Sequence, residues 1–245
     1  MTTRSFRVVG LGRAGGAFAH ALQSAGWRLD RTFGRGDDAG EAAHDVDAVI
    51  IATPDRTIAE VARAIRPSPT TVVIHLSGAA GTEVLAPHPR RGAVHPLMTL
   101  VDADTGAARL RGGWFAVAGD ALAHEVVEAL GGHSFTVADE QRVRYHAAAA
   151  VASNHLVVLL AQVERLAASA NVSFAAFLPL IRASVDNVES LGARRALTGP
   201  AARGDVETVS RHLAALDESE RPLYRVLSDA ARTLASDEDV AKEDQ

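Results

Sequence analysis

The stretch Phe6-Arg-Val-Val-Gly-Leu-Gly-Arg-Ala-Gly-Gly16 decides the fold of this 245-residue chain. A short apolar run of strand type opens it, and a helix-forming run, residues 14–25, follows. Between the two runs, Gly10, Gly12 and Gly15 have the spacing G-x-G-x-x-G. This order predicts a strand, a tight turn and a helix whose first amide groups bind a pyrophosphate.

Each glycine has a separate reason to be there. Gly10 makes the tight turn, Gly12 lets a pyrophosphate approach the backbone, and Gly15 lets helix and strand pack closely. The predicted phosphate site comprises Gly10, Leu11, Gly12, Arg13, Ala14 and Gly15. The alternative is a tight turn without a ligand. A second predicted strand at residues 27–33 favours the binding interpretation.

Gly34 and Arg35 follow that second strand, about 20 residues past the glycine turn. NAD-binding chains usually have an acidic residue there for the ribose 2′-hydroxyl, whereas an arginine accommodates a 2′-phosphate. Asp37 and Asp38 are predicted to cap a helix instead. Arg35 therefore predicts NADP as the cofactor in preference to NAD; the alternative is a solvated surface arginine.

Composition excludes several classes of protein. The chain is 47% apolar and 22% charged, as expected of a soluble chain with one large domain or two modest ones. Of the net charge of −5, residues 237–245 supply −4 through five acids and one lysine, which leaves −1 elsewhere. We therefore expect no nucleic acid or membrane partner, and a disordered acidic tail.

Some residue types are missing. Lys242 is the only lysine, so a Walker phosphate loop and a catalytic lysine in the folded part are excluded. Cysteine is absent, which excludes disulfides and thiolate zinc sites. No signal peptide is expected, and apolar stretches are interrupted before membrane-spanning length. A cytoplasmic location is predicted.

The pattern of elements predicts an α/β fold. Strands are predicted at residues 6–9, 27–33, 48–52, 71–76, 92–95, 114–118 and 134–137, alternating with helices at 14–25, 39–44, 56–65 and 121–130. Such alternation is typical of a Rossmann-type doubly wound parallel sheet with right-handed crossovers. Beyond Asp139 no strand is predicted. A long Ala-rich helix to about residue 171 comes first, and Ser173, Asp205 and Pro222 mark three further helix starts.

Two domains and a tail follow from this pattern. Residues 1–138 are predicted to bind the dinucleotide, 139–236 to form an all-α substrate and dimerisation domain, and 237–245 to be disordered. The long Ala-rich helix favours a homodimer.

Several predicted strands end in polar or glycine-containing segments. These segments are the glycine turn, Gly34–Arg35, Thr53-Pro54-Asp55, Ser77-Gly78 and His95-Pro96. Ligands of open α/β sheets bind beyond the carboxyl ends of the strands, so these segments are expected to meet at one cleft. Thr53, Pro54 and Asp55 are therefore predicted to bind the cofactor.

A dinucleotide unit followed by a long helix and an all-α domain resembles the 6-phosphogluconate dehydrogenase-like superfamily. Residues 93–100 (AVHPLMTL), 145–154 (YHAAAAVASN) and 197–205 (LTGPAARGD) resemble, more closely, a family of Rossmann-like proteins with a helical domain of unknown function. The resemblance covers nearly the whole chain. It implies an oxidoreductase and no particular substrate.

Two further resemblances imply catalytic positions. His95-Pro96 and Ser77 resemble the His-Pro pair and the strand-end serine of prephenate dehydrogenases, in which the histidine serves the substrate hydroxyl. Asn154 resembles the asparagine of the long helix in hydroxyacid dehydrogenases and ketopantoate reductases. Those enzymes carry a catalytic lysine four residues earlier, where this chain has Ala150. Their mechanism therefore does not transfer.

Each candidate has an alternative role. His95 is a predicted proton donor or a turn histidine bonded to backbone. Asn154 binds substrate or nicotinamide, or it caps a neighbouring loop. Ser77 is predicted to bond the substrate oxygen.

Arg203, with Thr198 in the same loop, is predicted to clamp a substrate carboxylate, or Arg203 pairs with Asp205. His88 and His95 lack carboxylates at ligand spacing, so no metal is predicted.

The predicted function is an NADP-dependent oxidoreductase that transfers a hydride to or from a small carbonyl or imine compound, with or without a carboxylate. One alternative is a dinucleotide-binding sensor or assembly protein without hydride chemistry. The other is a purely structural protein with an unoccupied glycine loop.

Overall fold

The computed structural model describes residues 3–236 of the chain. The predicted disordered tail lies outside the described residues. The chain divides into two compact units, Met1–Ser153 and Asn154–Gln245. The domain boundary predicted after residue 138 stays a prediction.

The opening stretch folds as predicted. Strand β1 (Ser5–Val9) leads through the glycine turn into helix α1 (Arg13–Ser24), and strand β2 (Arg28–Phe33) follows. β1 buries four of its five residues, because it lies between β2 and β3 in the sheet interior. The buried face of α1 includes Phe18 and Leu22, which pack into the core beside the sheet.

The first unit contains a seven-stranded sheet in the order β2-β1-β3-β4-β5-β6-β7. The remaining strands are β3 (Ala48–Ile51), β4 (Val72–His75), β5 (Arg91–Pro96), β6 (Trp114–Gly119) and β7 (His133–Phe135). Its helices after α1 are α2 (Ile58–Ala64), α3 (Ala103–Leu110), α4 (Ala121–Ala129) and α5 (Arg142–Ala150). β1 to β5 are all parallel.

The α/β fold class is confirmed, with one departure from the predicted all-parallel sheet. β6 runs antiparallel to β5, and β7 runs parallel to β6. Hydrophobic patterning marks a buried strand without encoding its direction, so the reversal was not visible in the sequence. The sheet is therefore mostly parallel, with a reversed pair of strands at one edge.

Helix α3 was missed by the sequence analysis. It packs on α1 at small residues: a Cβ added to Gly16 would lie 2.9 Å from the Ala103 Cβ, and one added to Gly106 would lie 2.8 Å from the Ala17 Cβ. Asp102 caps the helix by accepting from the Thr105 amide at 2.7 Å. A glycine inside an eight-residue helix weakens the sequence signal, whereas here it permits close packing.

A predicted helix at residues 39–44 is wrong, because the chain forms turns there. Asp37 and Asp38 accordingly cap no helix. Asp37 Oδ2 accepts from the Gly34 amide at 2.7 Å, and Asp38 Oδ1 accepts from the Gly40 amide at 2.8 Å. Such local side-chain hydrogen bonds compete with helix formation.

The second unit is helical throughout its described residues. A continuous helix, Asp139–Ser169, enters it from the first unit and changes to π-helix at Val151–His155. The helices of the second unit are α6 (Leu156–Ser169), α7 (Leu178–Leu191), α8 (Ala193–Ala196), α9 (Val206–Ala215) and α10 (Arg221–Ser236).

Two predicted helix caps are in place. Ser173 Oγ accepts from the Ala175 amide at 3.3 Å, ahead of α7, and Asp205 accepts from the Thr208 amide at 2.9 Å, at the start of α9. The sequence predicts a loop at residues 192–204, whereas the structure has the short helix α8 at the start of this segment.

The second unit leaves many apolar side chains exposed. Val157 and Leu180 are each 64% exposed and Val226 is 63% exposed, while Ala167 is its one buried hydrophobic residue among those described. By length and composition alone, the helix Asp139–Ser169 could also cross a membrane, with 6% of its most apolar window buried. A partner surface would be needed to cover these side chains.

Candidate active site

The glycine turn has the geometry that phosphate binding requires. Gly10 has φ +101°, and a Cβ there would lie 2.8 Å from the Ala52 carbonyl oxygen. A Cβ on Gly15 would overlap the carbonyl oxygen of Gly10. A Cβ on Gly12, by contrast, would meet nothing within 4 Å. Two glycines thus permit the turn, and the third leaves open space in front of it.

The open space adjoins the first turn of α1. Gly12 is the N-cap residue and supplies no side-chain hydrogen bond, so the amide groups of the first turn have no capping side chain. Leu11, Arg13 and Ala14 complete this segment, and the Leu11 side chain is exposed. Free amide groups and the positive end of the helix dipole suit a pyrophosphate.

Thr53 adds an observation that points to a ligand. Its hydroxyl oxygen, just beyond the end of β3, is buried and has no hydrogen-bond partner among the described residues. A Cβ on Gly10 would lie 3.1 Å from the Thr53 Cγ2, so this residue adjoins the glycine turn. A buried hydroxyl without a partner is costly, and a polar cofactor group would satisfy it. The residues present therefore fit a bound dinucleotide.

Arg35 lies exposed in the turn that follows β2. The Asp37 carboxylate folds back onto the same turn through the Gly34 amide. The sequence analysis had assigned Asp37 to a helix cap, so the carboxylate at this position was missed. A cation for a 2′-phosphate and a carboxylate for a 2′-hydroxyl therefore both adjoin the end of β2.

Ser77 and Asp55 meet at the carboxyl ends of β4 and β3. The Ser77 hydroxyl donates to Asp55 Oδ2 at 2.6 Å and accepts from the amide groups of Ala79 and Ala80 at 3.2 and 3.1 Å. Pro54 precedes Asp55 and is exposed. Because Ser77 is buried and its proton is directed to Asp55, it bonds a substrate oxygen only by giving up this contact.

His75 forms hydrogen bonds with the loop that contains Ser77. Its Nδ1 accepts from the Ser77 amide at 3.1 Å, so the proton lies on Nε2, which donates to the Gly81 carbonyl at 3.1 Å. Burial lowers the pKa of His75, which is fully buried at the end of β4. A neutral histidine in one tautomer thus fixes the loop that follows β4.

His95 forms a hydrogen bond that the sequence analysis did not predict. Its Nδ1 lies 2.7 Å from the hydroxyl oxygen of Tyr145 on α5. The two rings are 5.5 Å apart and nearly perpendicular, at 88°. Phe135 of β7 also packs against the Tyr145 ring in an edge-to-face arrangement, with centroids 5.7 Å apart. The pair connects α5 to the carboxyl edge of the parallel strands.

His146 also packs against His95. The two imidazole rings are 5.7 Å apart, at 74°. A Cβ on Gly78 would lie 2.7 Å from His146 Nδ1 and 2.8 Å from His95 Nε2, so only glycine fits between the two rings. Burial, together with the nearby His146, lowers the pKa of His95 from 6.5 to about 4. His95 is therefore neutral at pH 7.

Arg142 brings a buried positive charge to the same region. The residue is 2% exposed; its Nε donates to Asp139 at 2.8 Å, while Nη1 has no partner among the described residues. Its charge lowers the pKa of His95 and His75, in addition to the larger effect of burial. Burial raises the pKa of Tyr145, and the Arg142 charge opposes that rise.

The remaining predicted residues lie in the second unit. Asn154 is exposed within the π-helical segment, and Ala150 ends α5 at the position of the lysine in the related enzymes. Thr198 and Arg203 are exposed in the loop before α9, where the charge of Arg203 contributes to a lowered pKa of Asp205, after that residue's own bonds to Thr208. Their predicted roles beside His95 stay predictions.

No group of three metal-ligating side chains occurs among residues 3–236. His88, the second histidine considered for a metal, is buried, and its Nε2 lies 2.8 Å from the Ala62 carbonyl oxygen.

Four residues near His95 were not predicted from the sequence as parts of the site: His75, Arg142, Tyr145 and His146. Tyr145 and His146 stand in a segment that was quoted for the resemblance, yet no role was assigned to them. His75 and Arg142 looked like an ordinary strand and helix residue. The signal that could have revealed Tyr145 and His146 is their adjacent position at the start of an Ala-rich helix.

Two family profiles match the chain. Residues 35–100 match a Rossmann-like domain, and residues 116–231 match a domain of unknown function, DUF2520. No curated protein matches the sequence. The predicted resemblance is thus confirmed: the chain joins a Rossmann-like domain to a DUF2520 domain.

Solved structures share the fold over nearly their whole length. A protein from Bacteroides fragilis, named as a candidate NADP oxidoreductase, is 20% identical with a TM-score of 0.79, covering 94% of this chain and 98% of its own. A reductive aminase from Aspergillus terreus, bound to NADPH and ethyl levulinate, is 17% identical with a TM-score of 0.68, covering 95% of each chain.

A third similar structure is the pyrroline carboxylate reductase of Plasmodium falciparum with NADP bound, which is 13% identical with a TM-score of 0.61, covering 96% of this chain and 100% of its own. At these identities the comparisons show the fold alone.

Proposed function

For a chain that joins a Rossmann-like domain to a DUF2520 domain, we propose an NADP-dependent oxidoreductase that acts on a small carbonyl or imine compound. One observation carries the proposal. At one edge of the sheet, the strand ends hold an open glycine turn, a buried hydroxyl without a partner, and a cluster of histidines with a tyrosine. Ligands of open α/β sheets bind at this edge.

The cofactor residues have separate tasks in this proposal. The glycine turn and the first turn of α1 hold the pyrophosphate, and Arg35 holds the 2′-phosphate. Thr53, Pro54 and Asp55 line the approach at the end of β3. When bound, the cofactor supplies or accepts the hydride, and the protein supplies orientation and a proton.

The similar structures favour a carbonyl or imine substrate. They include a reductive aminase in complex with NADPH4, cyclohexanone and allyl amine, and an imine reductase from Streptomyces aurantiacus. A hydride that adds to either kind of double bond requires a proton on the oxygen or nitrogen. His95 with Tyr145 can supply it in unit 1, and we propose that Asn154 helps to orient the substrate.

A carboxylate on the substrate is the finer part of the proposal. Arg203, beside Thr198, offers a guanidinium that can bind a carboxylate through two parallel hydrogen bonds. Both side chains are exposed. Arg203→Ala should raise KM for keto acids more than for neutral ketones.

Two measurements test the function. NADPH fluorescence on titration with the protein decides whether the glycine turn binds a dinucleotide. NADPH oxidation against a panel of ketones, keto acids and cyclic imines then decides whether hydride transfer occurs. Absence of NADPH binding would contradict the proposal and leave the purely structural alternative.

A second candidate is a dinucleotide-binding sensor or assembly protein. Two observations favour it: Ala150 stands where related enzymes have a catalytic lysine, and the Ser77 proton is already directed to Asp55. NADPH binding without turnover on the whole panel would support this alternative.

We also propose a homodimer, and keep the predicted cytoplasmic location as an expectation. The exposed apolar side chains of α6, α7 and α10 leave the second unit without a substantial buried core of its own. A second copy of the chain would cover them. Sedimentation at several protein concentrations should give twice the mass of one chain; a monomer throughout would contradict the dimer.

A further inference from the structure

We propose that Tyr145 is the catalytic acid that protonates the substrate, and that His95 is the positioning residue that restores its proton. This inference rests on the proposed function and names the proton donor of that reaction. The sequence analysis had assigned the donor role to His95 itself.

The geometry places Tyr145 for this role. Its hydroxyl lies 2.7 Å from His95 Nδ1, and the perpendicular ring packing leaves little freedom to turn away. His95 stands at the carboxyl end of β5, between the Ser77-Gly78 turn and α5. Both side chains are half-buried, so they remain accessible to a small molecule at the edge of the sheet.

His95 itself is poorly suited to donate directly. With its pKa lowered to about 4 by burial and by His146, its imidazole is neutral at pH 7, so the strongly acidic imidazolium form is nearly absent. A neutral imidazole is a weak acid, but it passes protons between its two nitrogens in exchange with a partner. Burial raises the pKa of Tyr145, so its hydroxyl keeps its proton until the substrate takes it.

Ser77 is excluded as the donor by its own hydrogen bonds. Its proton goes to the Asp55 carboxylate, and its oxygen accepts two backbone amide groups. The buried charge of Arg142 assists Tyr145 instead, because it lowers the pKa of the tyrosine against the effect of burial. A cation near the ring stabilises the tyrosinate that forms when the proton leaves.

In the proposed proton step, bound NADPH would supply the hydride that adds to the substrate carbon. The Tyr145 O–H bond breaks as its proton joins the substrate oxygen or nitrogen. The negative charge left on the Tyr145 oxygen is neutralised by the proton on His95 Nδ1, while His95 Nε2 takes a proton from water on the side of His146. The products are the alcohol or amine and NADP⁺, and one proton is consumed from water.

The chain contains a matched control for this pair. His212 Nδ1 lies 2.6 Å from the Tyr224 hydroxyl oxygen, with rings 5.9 Å apart at 85°. This second pair is exposed and joins α9 to α10. The two are the only tyrosines of the chain, so each can be removed separately without losing the other.

The kinetic test compares Tyr145→Phe with Tyr224→Phe on the carbonyl and imine panel with NADPH. Tyr145→Phe should lower kcat by about 10²–10⁴-fold, the usual range for a general acid, with NADPH affinity unchanged. Tyr224→Phe should stay close to the wild type. If the wild type turns over and Tyr145→Phe retains full kcat, the inference is overturned while the proposed function stands. If the wild type binds no NADPH, both are wrong.

A second test needs no substrate. In the Tyr224→Phe background, absorbance near 295 nm titrates Tyr145 alone. We expect titration above the ordinary value of 10 in the free protein. Bound NADP⁺ should lower the midpoint by about one pH unit, since under this proposal its cationic ring would lie near the hydroxyl. Adenosine 2′,5′-diphosphate, which lacks that ring, should not.

Two outcomes of this titration contradict the inference. Ionisation of Tyr145 below neutral pH would leave it no proton to give. An unchanged midpoint in protein that binds NADP⁺, as judged by calorimetry, would place the tyrosine away from the nicotinamide.

Discussion

The two histidine–tyrosine pairs of this protein have almost the same internal geometry and very different surroundings. The bond lengths differ by about 0.1 Å, at 2.7 Å for His95–Tyr145 and 2.6 Å for His212–Tyr224. The first pair adjoins His146, Asp55, His75 and the buried Arg142, each of which acts on the pKa of His95. The second pair is exposed between two helices.

A histidine–tyrosine hydrogen bond alone therefore does not identify a catalytic pair. Burial and a cation change the proton affinity of the first pair, and the strand ends beside it offer a place for a ligand. At the second pair the same bond joins two helices at the surface, where solvent screens its charges. Each experiment below asks whether the first pair owes its role to these surroundings.

The largest expected effect is on the histidines. His95→Asn should lower kcat by about 10²–10⁴-fold with little change in NADPH affinity, because the proton supply is lost while the glycine turn is intact. His212→Asn is the matched control and should leave kcat within about two-fold, as expected of a surface substitution. Equal losses of kcat in both variants would contradict a special role for the first pair.

The glycine turn should show the next largest effect. Gly12→Val should lower NADPH affinity by about 100-fold through loss of charge-assisted hydrogen bonds to phosphate. The melting temperature should hardly change, because a Cβ at Gly12 meets nothing within 4 Å. Gly15→Val should instead destabilise the fold, since its Cβ would overlap the Gly10 carbonyl. Unchanged affinity in Gly12→Val would show a turn without a ligand.

The relative affinity for NADP and NAD should depend on residues in the turn after β2. If Arg35 holds the 2′-phosphate, its hydrogen bonds are worth roughly 1.5–3 kcal/mol, which is about a ten- to hundred-fold preference for NADP. Arg35→Asp should abolish or reverse that preference, while Arg63→Asp on α2 changes the same charge elsewhere and should not. Titration of both cofactors measures it.

The neighbouring Asp37 sharpens this test. Its carboxylate lies at the Gly34 amide, where an NAD-binding chain would hold the ribose 2′-hydroxyl. Equal affinity of the wild type for both cofactors, or a loss of NAD affinity in Asp37→Asn, would assign the site to NAD.

The smallest expected effect is on how the free energy of unfolding changes with pH. His95 binds a proton at about pH 4 in the folded protein and at 6.5 in the unfolded chain, so between these values the unfolded chain binds more protons. Stability should therefore fall as the pH is lowered from 6.5 to about 4. The loss at His95 is on the order of 1–2 kcal/mol after allowance for partial solvent exposure.

Denaturant unfolding at pH 7 and pH 4.5 measures this loss. His95→Asn should lose less stability over the interval than the wild type. An identical pH dependence in both proteins would show that the folded protein does not desolvate His95.

The sequence predicted those parts of the fold that local patterns determine. β1, the glycine turn and α1 follow from three apolar residues and the glycine spacing, and Ser173 and Asp205 cap the predicted helices. The direction of β6 was not predictable, because apolar patterning is the same for either direction. α3 was missed because its packing on α1, not its own propensity, stabilises it.

Some residues of the candidate site were likewise predictable from the sequence, and others were not. Ser77, Asp55 and His95 were placed at strand ends, where the parallel strands bring them together. Tyr145 was beyond reach, since its contact with His95 depends on how α5 crosses the sheet edge, fifty residues further along the chain. Whether Asp55 would bind the cofactor or hold the Ser77 proton likewise depends on side-chain geometry that spacing does not encode.

The most direct test of the central claim is a crystal structure with bound NADP⁺, in which one measures where the nicotinamide lies relative to the His95–Tyr145 pair. We expect the ring beside Gly78 and His95, with room for a small substrate whose reacting atom is about 3–3.5 Å from the ring carbon and in hydrogen-bond reach of the Tyr145 hydroxyl. A nicotinamide bound elsewhere, with Tyr145 and His95 facing away from it, would contradict the account.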